Sequence, residues 1–154
     1  QVFCSAENVL KQEPSAIPAI IVDRDGTVAL FTEEMRSPYD ASKCEDDLLN
    51  EPVAHIVKTY YEKGHTILFV SGREDKFKEP TEKFLKKHFT NMPYELFMRK
   101  TSDSRKDNKK KKEIFFDNIN GLYNVRFVLD DRNSVVKSWR ELGLTCLQVA
   151  DGMF

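Results

Sequence analysis

Ile20-Ile21-Val22-Asp23-Arg24-Asp25-Gly26-Thr27 is a short run of branched apolar residues that ends in two carboxylates and a glycine. The apolar part reads as a buried strand, and the acidic part as what that strand delivers to its own exposed end. Open α/β sheets hold their reactive groups at such carboxyl ends. Side chains alternate along a strand, so Asp23 and Asp25 converge only if the backbone turns, and Gly26 permits the turn. Two convergent carboxylates suit phosphoryl transfer. One attacks phosphorus to give an aspartyl-phosphate, and the other protonates the leaving oxygen and then activates water. Two anions facing a phosphate require a cation, and Mg2+ favours oxygen ligands beside substrate phosphates. An EF-hand also begins Asp-x-Asp but needs glycine at its sixth position and glutamate at its twelfth. Here Gly26 is fourth, and Glu34 alone meets the pattern. A solvated turn rich in Asp and Gly is the plain alternative.

Working outward, the 154 residues are 40% apolar, enough for one domain with a single core. We expect a lead-in over residues 1–18, where Pro14 and Pro18 interrupt any period, and one domain over 19–154. The start at Gln1 suggests processing or excision from a longer chain. No apolar run is long enough to span a membrane and no signal-like N-terminus is present, so we expect a cytoplasmic protein with no membrane partner. Cys4, Cys44 and Cys146 lack metal or redox spacing and read as reduced. The net charge of -1 conceals a basic stretch from Arg99 to Lys112 that a polyanion could meet.

Residues 28–47 show little periodicity and read as a flap beside the first strand. Asn50 is placed to cap a helix whose stripe is Val53, Ile56, Val57, Tyr60 and Tyr61, closed by Gly64. Residues 66–70 form a second apolar strand ending in Ser71-Gly72-Arg73, a hydroxyl and a guanidinium fork suited to a phosphate. A helix is expected over 79–89 and a strand over 94–98. A short helix over 113–118 follows the lysines. Most of Lys109 to Lys112 read as a solvated face, although one fixed cation would serve a phosphate site. A strand over 125–129 then ends in Asp130-Asp131, where Asp131 is a candidate helix cap or metal ligand. A helix containing Val135, Val136, Trp139 and Leu142 and a strand over 145–149 close the chain. Alternating strands and helices predict an α/β fold, a Rossmann-like parallel sheet with helices on both faces. All the special groups then fall near one edge of that sheet.

This order of parts resembles the haloacid dehalogenase-like phosphatases from Ile20 to Asp131: an Asp-x-Asp-Gly-Thr loop, a serine after the second strand, a lysine, then an acidic pair. It resembles more closely the C-terminal 3′-phosphatase domain of bifunctional phage polynucleotide kinase/phosphatases. The shared stretches are Arg36-x-Pro38-Tyr39-Asp40-x-x-Lys43-Cys44, Val70-Ser71-Gly72-Arg73-Glu74, Arg105-Lys106-Asp107 through Glu113-Ile114-Phe115, Asp130-Asp131-Arg132, Trp139-Arg140 and the ending from Gln148 to Phe154. The resemblance implies that Asp23 is the nucleophile and Asp25 the general acid/base, with Ser71, Arg73 and Lys111 on the transferring phosphate. It implies Mg2+ on Asp23, the Asp25 backbone carbonyl, and Asp130 or Asp131. It implies substrate-binding positions at Thr27, Arg36, Arg99 and Asp107. Arg24 departs from the pattern, standing where relatives often have an apolar residue. No Gly-x-x-x-x-Gly-Lys-[Ser/Thr] occurs, so a 5′-kinase would be a separate or fused partner, with a ligase acting downstream.

The expected function is therefore Mg2+-dependent removal of 3′-phosphates, or 2′,3′-cyclic phosphates, from DNA or RNA ends. No aromatic platform for single strands stands out in the sequence. Rival expectations are a small-metabolite phosphatase of the same superfamily, a receiver-like signalling domain that keeps its aspartyl-phosphate, and a non-catalytic nucleic-acid module. Self-association is left open.

Overall fold

A computed structural model describes residues 9–154. Five parallel strands form one sheet in the order β5-β4-β1-β6-β7. They are β1 (Ile17–Val22), β4 (Thr66–Glu74), β5 (Glu95–Arg99), β6 (Tyr123–Asp130) and β7 (Cys146–Gln148). The short β2 (Ala29–Leu30) and β3 (Leu48–Leu49) pair antiparallel as a separate two-stranded unit. Helices α1 (Glu51–Glu62), α2 (Lys78–His88), α3 (Asp107–Ile114) and α4 (Asn133–Glu141) complete the domain.

Strand alternation divides the interior into two cores. Ile20, Val22, Ile67 and Phe69 pack with Val53 and Val57 of α1 and Phe84 and Leu85 of α2. Ala19, Ile21, Leu68 and Val70 pack on the other face with Ile114, Phe115, Val135 and Trp139. Each large apolar side chain so buried contributes about 1.5–3 kcal/mol as an upper bound. Both faces of the central strands are thus covered, which leaves the strand ends as the accessible part of the sheet.

Several expectations need correction. The strand β1 takes in Ile17 and Pro18, and Gln12 is docked ahead of it. The Gln12 amide brackets Val125, donating to its carbonyl at 2.8 Å and accepting from its N–H at 2.7 Å. Cys4 lies outside the described residues, whereas Cys44 and Cys146 are free thiols. Asn50 precedes α1 but makes no side-chain cap; its amide instead donates to Thr27 O at 2.8 Å and ties the helix start to the first loop. The helix expected over 113–118 begins at Asp107, and a π-helical turn, Phe115–Ile119, follows it. The polar face of α3 hides its helical period from a hydropathy reading, because Lys110 and Lys111 are among its buried residues. Asp131 does not cap α4, whose N-cap is Arg132 without a side-chain bond.

Candidate active site

The carboxyl ends of β1, β4 and β6 open into a pocket of about 660 Å³. Asp23 and Asp25, Ser71 and Arg73, Arg99, Asp107, Asp130 and Asp131 line it. The central strand β1 lies between β4 and β6, so the three strand ends carrying these groups are adjacent. Gly26, at φ +80°, turns the chain after Asp25. A side chain there would also collide with the Asp131 carboxylate.

Asp23 is 6% exposed. Its Oδ1 accepts from Lys111 Nζ at 2.8 Å and its Oδ2 from the Thr27 hydroxyl at 3.0 Å, which fixes the plane of the carboxylate. Burial, reinforced by Asp130, pushes the Asp23 carboxyl well above the usual carboxylate range, despite the opposing charge of Lys111. Asp131 moves the same way, mainly through burial. Burial alone would depress Lys111, but Asp130, Asp23 and Asp107 outweigh it and hold the ammonium charged.

The two residues of the second acidic pair differ in their surroundings. Asp130 is saturated: Oδ1 accepts from the N–H groups of Asp131 and Arg132, and Oδ2 from Lys111 at 3.0 Å and the Trp139 indole at 3.3 Å. Asp131 accepts from Thr27 at 3.3 Å and is the less committed. Asp23, Asp130 and Asp131 each offer an oxygen within 4.8 Å of the others. Among the described residues, Lys111 is the one cation that ion-pairs within this cluster, with Asp23 and Asp130. A hard divalent cation fits that donor set and its uncompensated charge. The Asp25 carboxylate stands outside it.

Asp25 belongs to a second cluster. Its Oδ1 bonds Arg24, its Oδ2 bonds Arg73, and Arg36 lies 3.6 Å from Oδ1. Burial raises the Asp25 carboxyl, but Arg24 and Arg73 prevail and hold it below its ordinary value. Behind it Asp47, 4% exposed, joins Arg24 and Arg36. Ser71 is buried at the pocket wall, its hydroxyl accepting from Arg73 N at 3.1 Å. Arg99 donates to Gly72 O at 2.7 Å and pairs with Asp107 at 3.3 Å.

Two of the expected substrate-binding residues are engaged within the protein. Thr27 is fully buried and orients Asp23 and Asp131 from below; it does not line the pocket. Arg36 makes two bonds to Asp47, both 2.8 Å, and stacks on Phe31, so in this structure it supports the flap. Half of the basic stretch is internal or paired. Arg99 meets Asp107, Arg105 meets Asp103 and Glu113, and Lys110 meets Asp103. Among the described residues, Lys100, Lys106, Lys109 and Lys112 are exposed and have no ion-pair partner.

Sequence reasoning missed the aromatic rim. Phe31 and Tyr39 of the flap line the pocket, as do Arg132 and Phe154. Tyr39 is 90% exposed, and Arg132 lies over the Phe154 ring at 5.3 Å. The ending is seated on the site because Asn133 N donates to Gly152 O at 2.8 Å, where Gly152 meets the Asp131 and Arg132 backbone too closely for a side chain. Hydropathy cannot reveal such a platform, since its members come from separate loops.

The fold and site together define a haloacid dehalogenase-like phosphatase. In fold alone, the chain is similar to a class C acid phosphatase from Bacillus anthracis, with TM-score 0.62, 16% identity, and 91% of this chain and 69% of that one covered. Residues 17–154 match the family described as the polynucleotide kinase PNKP phosphatase domain. The chain belongs to that family and is a phosphoric monoester hydrolase. It is similar to a chain in a structure of the Pnkp1/Rnl/Hen1 RNA repair complex, at 44% identity and TM-score 0.90, covering 99% of this chain and 49% of that one. A structure of a Pnkp1/Rnl/Hen1 complex gives 48% identity and TM-score 0.88, with 94% and 50% covered. A protein named bifunctional polynucleotide kinase/RNA ligase, from Autographa californica nuclear polyhedrosis virus, is 36% identical over 126 residues, 80% of this chain and 18% of that protein. The chain thus spans about half the length of the two complex chains and a smaller share of the viral protein.

Proposed function

We propose that the chain removes 3′-phosphates from DNA or RNA ends through an aspartyl-phosphate on Asp23 and with Mg2+, and that the 2′,3′-cyclic phosphates of RNA ends are substrates after one of their two P–O bonds is opened. The observation that carries this reading is the placement of Asp23 at the floor of an open pocket with arginines on its walls and aromatic rings on its rim. The walls suit a phosphate and the rim suits a nucleoside, since bases stack on aromatic and guanidinium faces. A small phosphate ester would use the walls and leave the rim idle.

In the first step Arg73 turns from Asp25 to the phosphate, which frees Asp25 to carry a proton; an Asp23 oxygen bonds to phosphorus as the P–O3′ bond breaks, and Asp25 delivers that proton to O3′. In the second, Asp25 takes a proton from the water that attacks the aspartyl-phosphate, releasing phosphate and restoring Asp23. Ser71 and Arg73 donate to the phosphoryl oxygens, and Lys111 remains a fixed cation beside the attacking carboxylate. Asp23, the Asp25 backbone carbonyl and Asp130 or Asp131, of which Asp131 is the less committed, would hold Mg2+, whose charge would offset that of the phosphoryl group when bound. A 5′-kinase domain and a ligase acting on the product are the partners that this reading implies, in the cytoplasm. Among the described residues no helix is long and apolar enough to cross a membrane.

The test is phosphate release from 3′- and 5′-phosphorylated oligonucleotides in Mg2+ or EDTA. Release from the 3′ end alone, abolished by EDTA, is expected. Survival of the 3′-phosphate through prolonged incubation would refute the reading.

A further inference from the structure

Arg24 follows the nucleophile directly, yet it is 1% exposed and turned away from the pocket it helps to build. Its Nη1 reaches both the Asp25 carboxylate and Asp47 Oδ2, the latter at 2.9 Å. Its Nη2 donates to Cys44 O at 2.7 Å, and the guanidinium lies over the Phe84 ring at 4.6 Å. One side chain therefore joins the acid/base carboxylate, the flap and α2. A buried, unpaired guanidinium would be costly, so these contacts persist together.

The two Asp25 oxygens are held differently. Oδ1 faces Arg24 and Arg36 in the interior, and Oδ2 faces Arg73 at the pocket wall. When Arg73 turns to a phosphate, the interior contacts alone hold the carboxylate, and Oδ2 is left to carry the proton that reaches the leaving oxygen. Arg36 lies 3.6 Å away and is committed to Asp47, so Arg24 is the principal anchor.

Resting on the phosphatase reading above, we propose that Arg24 is a positioning residue for leaving-group protonation, fixing Asp25 through Oδ1 and locking it to the flap through Asp47. It touches neither the phosphate nor Asp23's reacting oxygens. Its effect is therefore confined to substrates whose leaving oxygen needs a proton.

The experiment compares kcat/KM for a 3′-phosphorylated oligonucleotide, glycerol 2-phosphate and 4-nitrophenyl phosphate in wild type, Arg24→Met and Arg24→Lys. The first two leave as alkoxides and need the proton; nitrophenolate leaves unaided, and kcat/KM excludes the later hydrolysis step. Misplacing the acid is expected to lower kcat/KM by about 10- to 100-fold for the alkyl esters. The nitrophenyl ester should change by less than about threefold, which also shows that each variant is folded. The lysine variant keeps the charge without the fork and should show the same split. Equal losses on all three substrates, or no loss on the alkyl esters, would overturn the proposal. If wild type cleaves glycerol 2-phosphate but not the oligonucleotide, the polynucleotide reading fails, and the glycerol ester still decides Arg24.

Discussion

Replacing Lys111 with methionine keeps the stem's volume and removes one buried charge. In the structure Nζ lies 2.8 Å from Asp23 Oδ1 and 3.0 Å from Asp130 Oδ2, with the side chain 3% exposed. Removing one partner from a buried ion pair costs about 3–5 kcal/mol. The lower end applies, because Asp23, already raised by burial and Asp130, can take up a proton and relieve the repulsion. For a domain of this size about 3 kcal/mol lowers Tm by roughly 10 °C. Loss of the fixed cation should also lower kcat by about 10²–10³, as for loss of a preorganised electrostatic contact. Thermal melts in EDTA and in Mg2+ separate the two effects, since a divalent cation replaces part of the lost charge and should raise the variant's Tm more than the wild type's. Lys112→Met, which alters an exposed neighbour without an ion pair, serves as the control. A Lys111→Met protein that melts and turns over like wild type would refute the placement of Lys111 and the argument built on it.

Gly72→Ala would place a methyl against the Asp107 carboxylate, displacing it from Arg99; we expect kcat/KM to fall about tenfold while circular dichroism stays unchanged. Tyr39→Ala and Phe154→Ala should each raise KM for a 3′-phosphorylated oligonucleotide by about 5- to 100-fold, the value of one stacked base, and leave a small phosphate ester unaffected. Burial pushes the Cys146 thiol up to about 12. In the unfolded chain it ionises near pH 8.5–9 while the folded form stays protonated, so its contribution is intact below that pH and is lost as pH rises towards 12. Between those limits stability should fall by up to about 1.4 kcal/mol per pH unit from this group, and Cys146→Ala should flatten that part of the curve in denaturant titrations.

The central sheet was legible because each of its strands carries its own apolar run, and the helices of one face because Val53, Val57, Phe84 and Leu85 keep a helical period. The site followed in outline, since Asp23, Asp25, Asp130 and Asp131 stand at or just past strand ends, and Ser71 and Arg73 lie in the last four residues of β4, which runs on past the Val70 expected to end it. Lys111 was accessible only through family resemblance. Four consecutive lysines look alike, and it is the packing of α3 that buries Lys110 and Lys111 and leaves Lys109 and Lys112 outside. Asp47 and the Trp139 indole escaped because their partners, Arg24 and Asp130, are remote in sequence or on another element. A signal for Arg24 was present: a cation between two carboxylates at a buried strand end must find anions of its own. Nothing local says that Asp47 supplies one.

Transfer of label from a 3′-[32P]phosphorylated oligonucleotide to the protein, stopped in acid within the first turnover, tests the account most directly. Wild type with Mg2+ should carry the label as an aspartyl-phosphate, Asp23→Asn should carry none, and a 5′-labelled oligonucleotide should label neither. Release of phosphate without a labelled protein, or equal labelling of Asp23→Asn, would contradict Asp23 as the nucleophile of a 3′-end phosphatase.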